Sequence, residues 1–171
     1  MFVKAMVGVS KENRCCFYRN ELPMPSLTEP LRHHHQHCDD LFVAAENAVR
    51  AGDWPGANAA LSGFLAAMET HFAAEEETLF PAFEAATGMS MGPTRVMRHE
   101  HAQMRELFKQ MEAGCADRDA EAYASAADTL LVMLQQHNLK EENILYPMCD
   151  QRLDAEAAAL APTLRERLEA A

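Results

Sequence analysis

The histidines and glutamates of this chain carry the first spacing with chemical content. His71 stands four residues before Glu75, and His137 stands four before Glu141. On a helix, positions i and i+4 share one face about a turn apart, so each pair can aim an imidazole and a carboxylate at one point. Two further histidines, in LRHHHQHCDDLF (31–42) and MRHEHAQMRELF (97–108), extend the set. Neutral imidazole with carboxylate suits iron, zinc or manganese, and no thiolate set competes for a softer ion.

The two pairs belong to an internal repeat. At an offset of 66 residues, segment 31–42 falls on 97–108, and HFAAEEETLFPAF (71–83) falls on HNLKEENILYPMC (137–149) without a gap. His35 then lands on His101, His71 on His137, Glu75 on Glu141 and Glu76 on Glu142, while Leu79-Phe80-Pro81 lands on Leu145-Tyr146-Pro147. Each half offers one lone histidine and one His-x-x-x-Glu pair. The count fits two metals, two histidines on each with both glutamates bridging, and leaves positions open for oxo, hydroxo, O2 or NO.

The repeat also decides within the histidine cluster. At about 100° per residue, Leu31, Cys38, Phe42, Ala45 and Val49 fall within about 80° of His35, which makes that side the buried stripe. His34 lies at the stripe's other edge and stays in contention on geometry alone, but it pairs with Glu100 across the repeat, whereas His35 pairs with His101. His33, His37 and His99 are expected in solvent. Any single histidine here reads as an ordinary core or surface residue. The set does not, because burying these groups without metal or partners would cost roughly 1–3 kcal/mol per unsatisfied group.

Around the six candidates, other residues are weighed individually. Glu76 and Glu142 sit one position off the metal face and read mainly as solvated surface, with a supporting role behind the ligands as the alternative. Met97, Met104, Phe108 and Met111 repeat at helical spacing as core, with Met97 and Met104 able to wall the site. Cys38, one turn from His35, reads as a buried structural thiol in preference to a redox or ligand role. Tyr146, where the other half has Phe80, can donate a hydrogen bond toward a metal-bound ligand or simply pack.

Helices must position these groups. Alanine, leucine, methionine and glutamate dominate, and isoleucine and tyrosine are scarce, which favours helix over sheet. Ser26-Leu27-Thr28-Glu29 has the form of a capping box, and the first helix runs to about Arg50, ahead of Gly52. Asp53 caps a second helix that ends at Gly88. Gly92-Pro93 opens a third, which stops near Gly114. Asp117 or Asp119 opens a fourth that reaches about Asp150, and a short helix containing Pro162 follows Asp154. The expectation is all-α: an up-down-up-down antiparallel four-helix bundle over 26–152, a C-terminal helix over 153–171 packed on or extending it, and a poorly structured extension over 1–25.

A formal charge of −11 disfavours nucleic acid and anionic membranes as partners. No apolar run approaches the roughly 20 residues of a membrane span, and the opening residues make a poor signal peptide. Five cysteines, with Cys15 and Cys16 adjacent, give no disulfide framework, so a reducing, cytoplasmic location is expected.

The order lone His, HFxxEExxLFP, EHxxMRxLF, HxxxEExxLYP resembles the hemerythrin-like, or HHE cation-binding, domain over about residues 27–150. The resemblance implies a left-handed four-helix bundle with a non-haem centre of two iron ions, oxo- or hydroxo-bridged, on His35, His71, Glu75, His101, His137 and Glu141. It also implies a small ligand such as O2 or NO, bound for sensing, buffering or iron handling. Oxygen-carrying members have a His-x-x-x-His pair on the third helix, and here Met97 stands four before His101. They also carry an aspartate five residues after the last helix's histidine, where this chain has Glu141 at four. The four-histidine, two-glutamate set instead resembles the di-iron proteins that repair iron–sulfur clusters after nitric-oxide or oxidative stress. The alternatives are therefore cluster repair or iron donation to a redox or iron-acceptor protein, and an enzyme reducing NO or peroxide; a metal- and ligand-binding role without catalytic residues is preferred. Ferritin-like sites need Glu-x-x-His pairs, and no histidine here has a glutamate three residues before it.

Overall fold

The computed structural model describes residues 26–169; the reading of residues 1–25 as an extension lies outside them. The described chain is helical throughout, with no strand among the described residues: α1 (Glu29–Arg50), α2 (Trp54–Ala74), α3 (Phe80–Thr87), α4 (Pro93–Asp117), α5 (Ala120–Lys140), α6 (Tyr146–Arg152) and α7 (Ala157–Glu169). A π turn, Glu75–Leu79, joins α2 to α3, and a second, Glu141–Leu145, joins α5 to α6. The two repeats form two hairpins, α1 against α2 and α4 against α5, packed together as an all-α bundle. Helix α7 lies against α1 and α2.

The turns follow from local chemistry. Asp53 accepts from the Gly56 amide at 3.1 Å and caps α2. Gly88, at φ 71°, ends α3 in the left-handed conformation that glycine adopts without a Cβ penalty. Asp119 accepts from the amides of Glu121 and Ala122 at 3.1 and 3.0 Å and opens α5.

Two expected boundaries move. Gly114 does not stop α4, which continues to Asp117 and ends at Arg118 with φ 56°. The glycine is needed for proximity, since a Cβ there would lie 2.7 Å from the Tyr123 amide nitrogen at the start of α5. The start of α1 is not a capping box either: Thr28 caps it without a side-chain bond to the helix. Asp150 of α6 does the tethering instead, accepting from the Ser26 hydroxyl at 2.6 Å, the Thr28 amide at 3.1 Å and the Thr28 hydroxyl at 3.1 Å.

The apolar interior divides in two. One cluster contains Cys38, Phe42, Phe64, Phe72, Met104, Phe108, Met111 and Leu130, and the other contains Leu31, Phe80, Phe83, Met97, Leu145, Tyr146 and Leu164. Complete burial of one such large side chain contributes about 1.5–3 kcal/mol. Between the clusters lies a polar layer.

Candidate metal centre

That layer contains the six side chains singled out from sequence. His35 comes from α1, His71 from α2, His101 from α4 and His137 from α5, while Glu75 and Glu141 open the π turns. All six are buried, both carboxylates completely. The Nε2 atoms of His35 and His71 lie 3.0 Å apart, and those of His101 and His137 lie 3.1 Å apart. Glu75 Oε2 is 3.3 Å from His101 Nε2 and 3.7 Å from His71 Nε2. Glu141 Oε1 is 3.0 Å from His137 Nε2, and its Oε2 is 3.3 Å from His35 Nε2. Each carboxylate thus reaches toward both histidine pairs. Two groups of donor atoms result: Glu75, His101, His137 and Glu141 in one, and His35, His71 and Glu141 in the other.

Three of the four outward ring nitrogens are also held, two of them by residues for which the sequence favours solvated surface. Glu142 Oε1 lies 2.8 Å from His35 Nδ1, and Glu76 Oε1 lies 2.7 Å from His101 Nδ1. Each of these carboxylates crosses from its own hairpin to the other. Glu100 Oε2 lies 2.9 Å from His137 Nδ1. Such partners fix the tautomer with Nε2 free to ligate and raise the basicity of the imidazole. The pairing of Glu76 with Glu142 across the repeat was the available sign of this role.

The π turns explain why a uniform helical wheel misplaces these groups. Phe80 N–H bonds to Glu75 O, and Tyr146 N–H bonds to Glu141 O, each five residues back. In that register the carbonyl of Glu76 would take its hydrogen from residue 81 and that of Glu142 from residue 147, and both are proline. An arginine supplies the missing donor in each half. Arg98 Nη2 donates to Glu76 O at 3.3 Å, and Arg32 Nη1 donates to Glu142 O at 3.0 Å. The same turn brings Tyr146 over Glu141, although residues five apart on an α-helix are about 140° apart. The phenol hydroxyl lies 2.8 Å from Glu75 Oε1 and 3.1 Å from Glu141 Oε2, so its one proton serves either carboxylate.

Electrostatics follow from burial of opposed charges. Burial pulls His101 down, but the carboxylates of Glu75 and Glu76 beside its ring outweigh it and lift the imidazole to about 9. His71 is held well below its ordinary value, first by burial and then by His35. Burial and the adjacent Glu141 raise Glu75. For Glu141, burial is outweighed by His137 and His35, and its carboxyl is held well below the usual range. Burial and both carboxylates keep Tyr146 a phenol.

The remaining candidates fall around the centre. His34 is buried but outside both donor groups, its ring stacked on His71 at 5.3 Å between centroids and 14° between planes. Burial, then His37 and His35, holds it down at about 4. Cys38 Sγ is 3.5 Å from His34 Nδ1, and burial pushes the thiol up to about 12. Met97 and Met104 are buried in the two different apolar clusters. His33, His37 and His99 are exposed. No helix among the described residues is long and apolar enough to cross a membrane.

A family model described as the hemerythrin HHE cation binding domain matches residues 26–149. No curated protein and no solved structure matches the chain. The family and the buried histidine–glutamate cluster both point to metal binding. With the match running from the start of the bundle to the last turn of its final helix pair, the chain belongs to the hemerythrin HHE cation-binding domain family.

Proposed function

We propose that the protein holds two iron ions on His35, His71, Glu75, His101, His137 and Glu141, and binds O2, NO or a related small oxidant for sensing, buffering or iron handling. The observation that carries this reading is the convergence of four Nε2 atoms and two carboxylates in a layer closed above and below by apolar side chains. The residues fit a cationic centre, because Glu75 Oε2 and Glu141 Oε1 are fully buried without a hydrogen-bond partner. Leaving such atoms unmet costs about 1–3 kcal/mol each, more when they are charged. The thiolate-free nitrogen and oxygen donor set suits iron, and the family resemblance in ligand order favours it over zinc.

Bound iron would supply reversible redox chemistry and open coordination positions. The chain's own residues do the rest. Glu142, Glu76 and Glu100 orient three imidazoles, and the flanking apolar clusters exclude water. Tyr146 holds a proton within the site, since its hydroxyl is also 3.4 Å from His35 Nε2 and 3.5 Å from His71 Nε2. That buried proton supports a second reading in which the centre reduces NO or peroxide, or serves cluster repair.

Metal quantification with optical spectroscopy tests the main reading. The expected result is about two irons per chain, near-ultraviolet charge-transfer bands, and a reversible spectral change when the reduced protein meets oxygen. One metal per chain, or zinc alone, overturns it. Sustained turnover of NO or peroxide, or reactivation of a damaged cluster enzyme, selects the second reading.

A further inference from the structure

The repeat matches its inner donors residue type for residue type and departs from itself immediately behind them. On α4, Glu100 accepts from the Nδ1 side of His137 at 2.9 Å and is itself paired with Lys140. At the matching positions of the first half stand His34 and Ala74, so the carboxylate and its lysine are replaced together. His34 stacks on His71 without bonding to it, and His71 Nδ1 is buried with no partner. A ligand imidazole lacking such an acceptor loses about 10–100-fold in metal affinity.

The inner donors are uneven in the same direction. The donor group built on His101 and His137 includes both carboxylates, whereas the group built on His35 and His71 includes Glu141 alone. Glu75 Oε1 is engaged by the Tyr146 hydroxyl at 2.8 Å. His34 also lines a surface cavity of about 560 Å3 with His33, His37, Arg165 and Leu168. One stacked ring therefore separates His71 from that cavity.

On the two-metal reading above, we propose that the positions are inequivalent by construction. The His101–His137 position fills first and binds tightly, and the His35–His71 position fills second and is the exchangeable one, because His34 stands where a carboxylate would support His71.

Anaerobic calorimetric titration of the metal-free protein with Fe2+ tests this. Wild type is expected to take up two ions in two steps separated by about 10-fold or more. His35→Ala keeps the tight step, and His101→Ala loses it. His34→Glu strengthens the second step by about 10–100-fold, and Glu100→Met weakens the first by a similar factor. A single step of two equal ions in wild type overturns the inference while leaving the two-metal centre standing. So does a second-step constant that His34→Glu leaves unchanged. If His34→Glu does not fold, an unchanged first step in Glu100→Met is equally decisive against it. Uptake of no more than one ion by wild type overturns both the inference and the reading beneath it.

Discussion

Replacing Tyr146 with phenylalanine removes one oxygen from the middle of the polar layer and little else. The first half of the repeat already places Phe80 at the corresponding position, also completely buried, so a phenyl ring fits this environment. The lost hydroxyl is the donor to Glu75 Oε1 at 2.8 Å or Glu141 Oε2 at 3.1 Å, one proton shared between two acceptors. A hydrogen bond to a charged group contributes about 1.5–3 kcal/mol. Each kcal/mol moves the midpoint of a domain this size by about 2–4 °C. Tyr146→Phe should therefore lower the melting temperature of the metal-free protein by about 3–12 °C. Thermal unfolding followed by far-ultraviolet circular dichroism, in chelator, reads this directly. The metal stoichiometry should stay that of wild type, because the phenol is not among the six proposed ligands. An unchanged or raised midpoint would refute the argument that the hydroxyl meets the carboxylates' need for a donor.

Three further outcomes are expected. His71→Ala and Glu141→Ala should each lose metal and stability, whereas His33→Ala and His37→Ala, both on the exposed face, should leave metal content unchanged by elemental analysis. Gly114→Ala should cost about 1–3 kcal/mol in urea unfolding, since its methyl would press on the Tyr123 backbone; a neutral result would show that the α4–α5 contact yields easily. In the metal-free protein, His34 has its pKa lowered from 6.5 to about 4, so protonation favours the unfolded chain. Its contribution is complete above pH 6.5 and is lost as pH falls through about 4, at most about 3 kcal/mol in all. His34→Phe should flatten the acid side of the urea midpoint-versus-pH curve relative to wild type, and equal slopes would contradict this.

Much of the site was legible because its signal is periodic. The constant offset paired His35 with His101 and His71 with His137, and the i, i+4 rule placed each glutamate beside its histidine. Asp53 and Gly88 announced their turns in the same local way. What escaped depends on departures from the regular helix or on distant partners. A wheel at a fixed angle per residue cannot contain the π turns, so it favoured solvent for Glu76 and Glu142 over support of the ligands and left Tyr146 undecided between packing and hydrogen bonding. Proline at 81 and 147, with arginine at 98 and 32, was the visible trace of those turns. Asp150 was out of reach because its partners lie 122 and 124 residues away, where no local pattern extends. Gly114 looked like a stop because glycine commonly follows a helix; only the nearness of Tyr123 reveals its other use.

The Asp150 tether also bears on how the chain assembles in time. Within each hairpin the contacts are local and the loop between helices is short, so either hairpin can form early and by itself. The bonds from Ser26 and Thr28 to Asp150 join the opening of the first hairpin to the close of the second. They can form only once both hairpins have docked, and they carry nearly the full loop-closure entropy of the bundle. Bonds that wait on docking are expected to form on the late side of the folding barrier. Asp150→Ala should consequently hasten unfolding far more than it slows folding, making this one carboxylate a setting for the lifetime of the native bundle and not for the speed at which it forms.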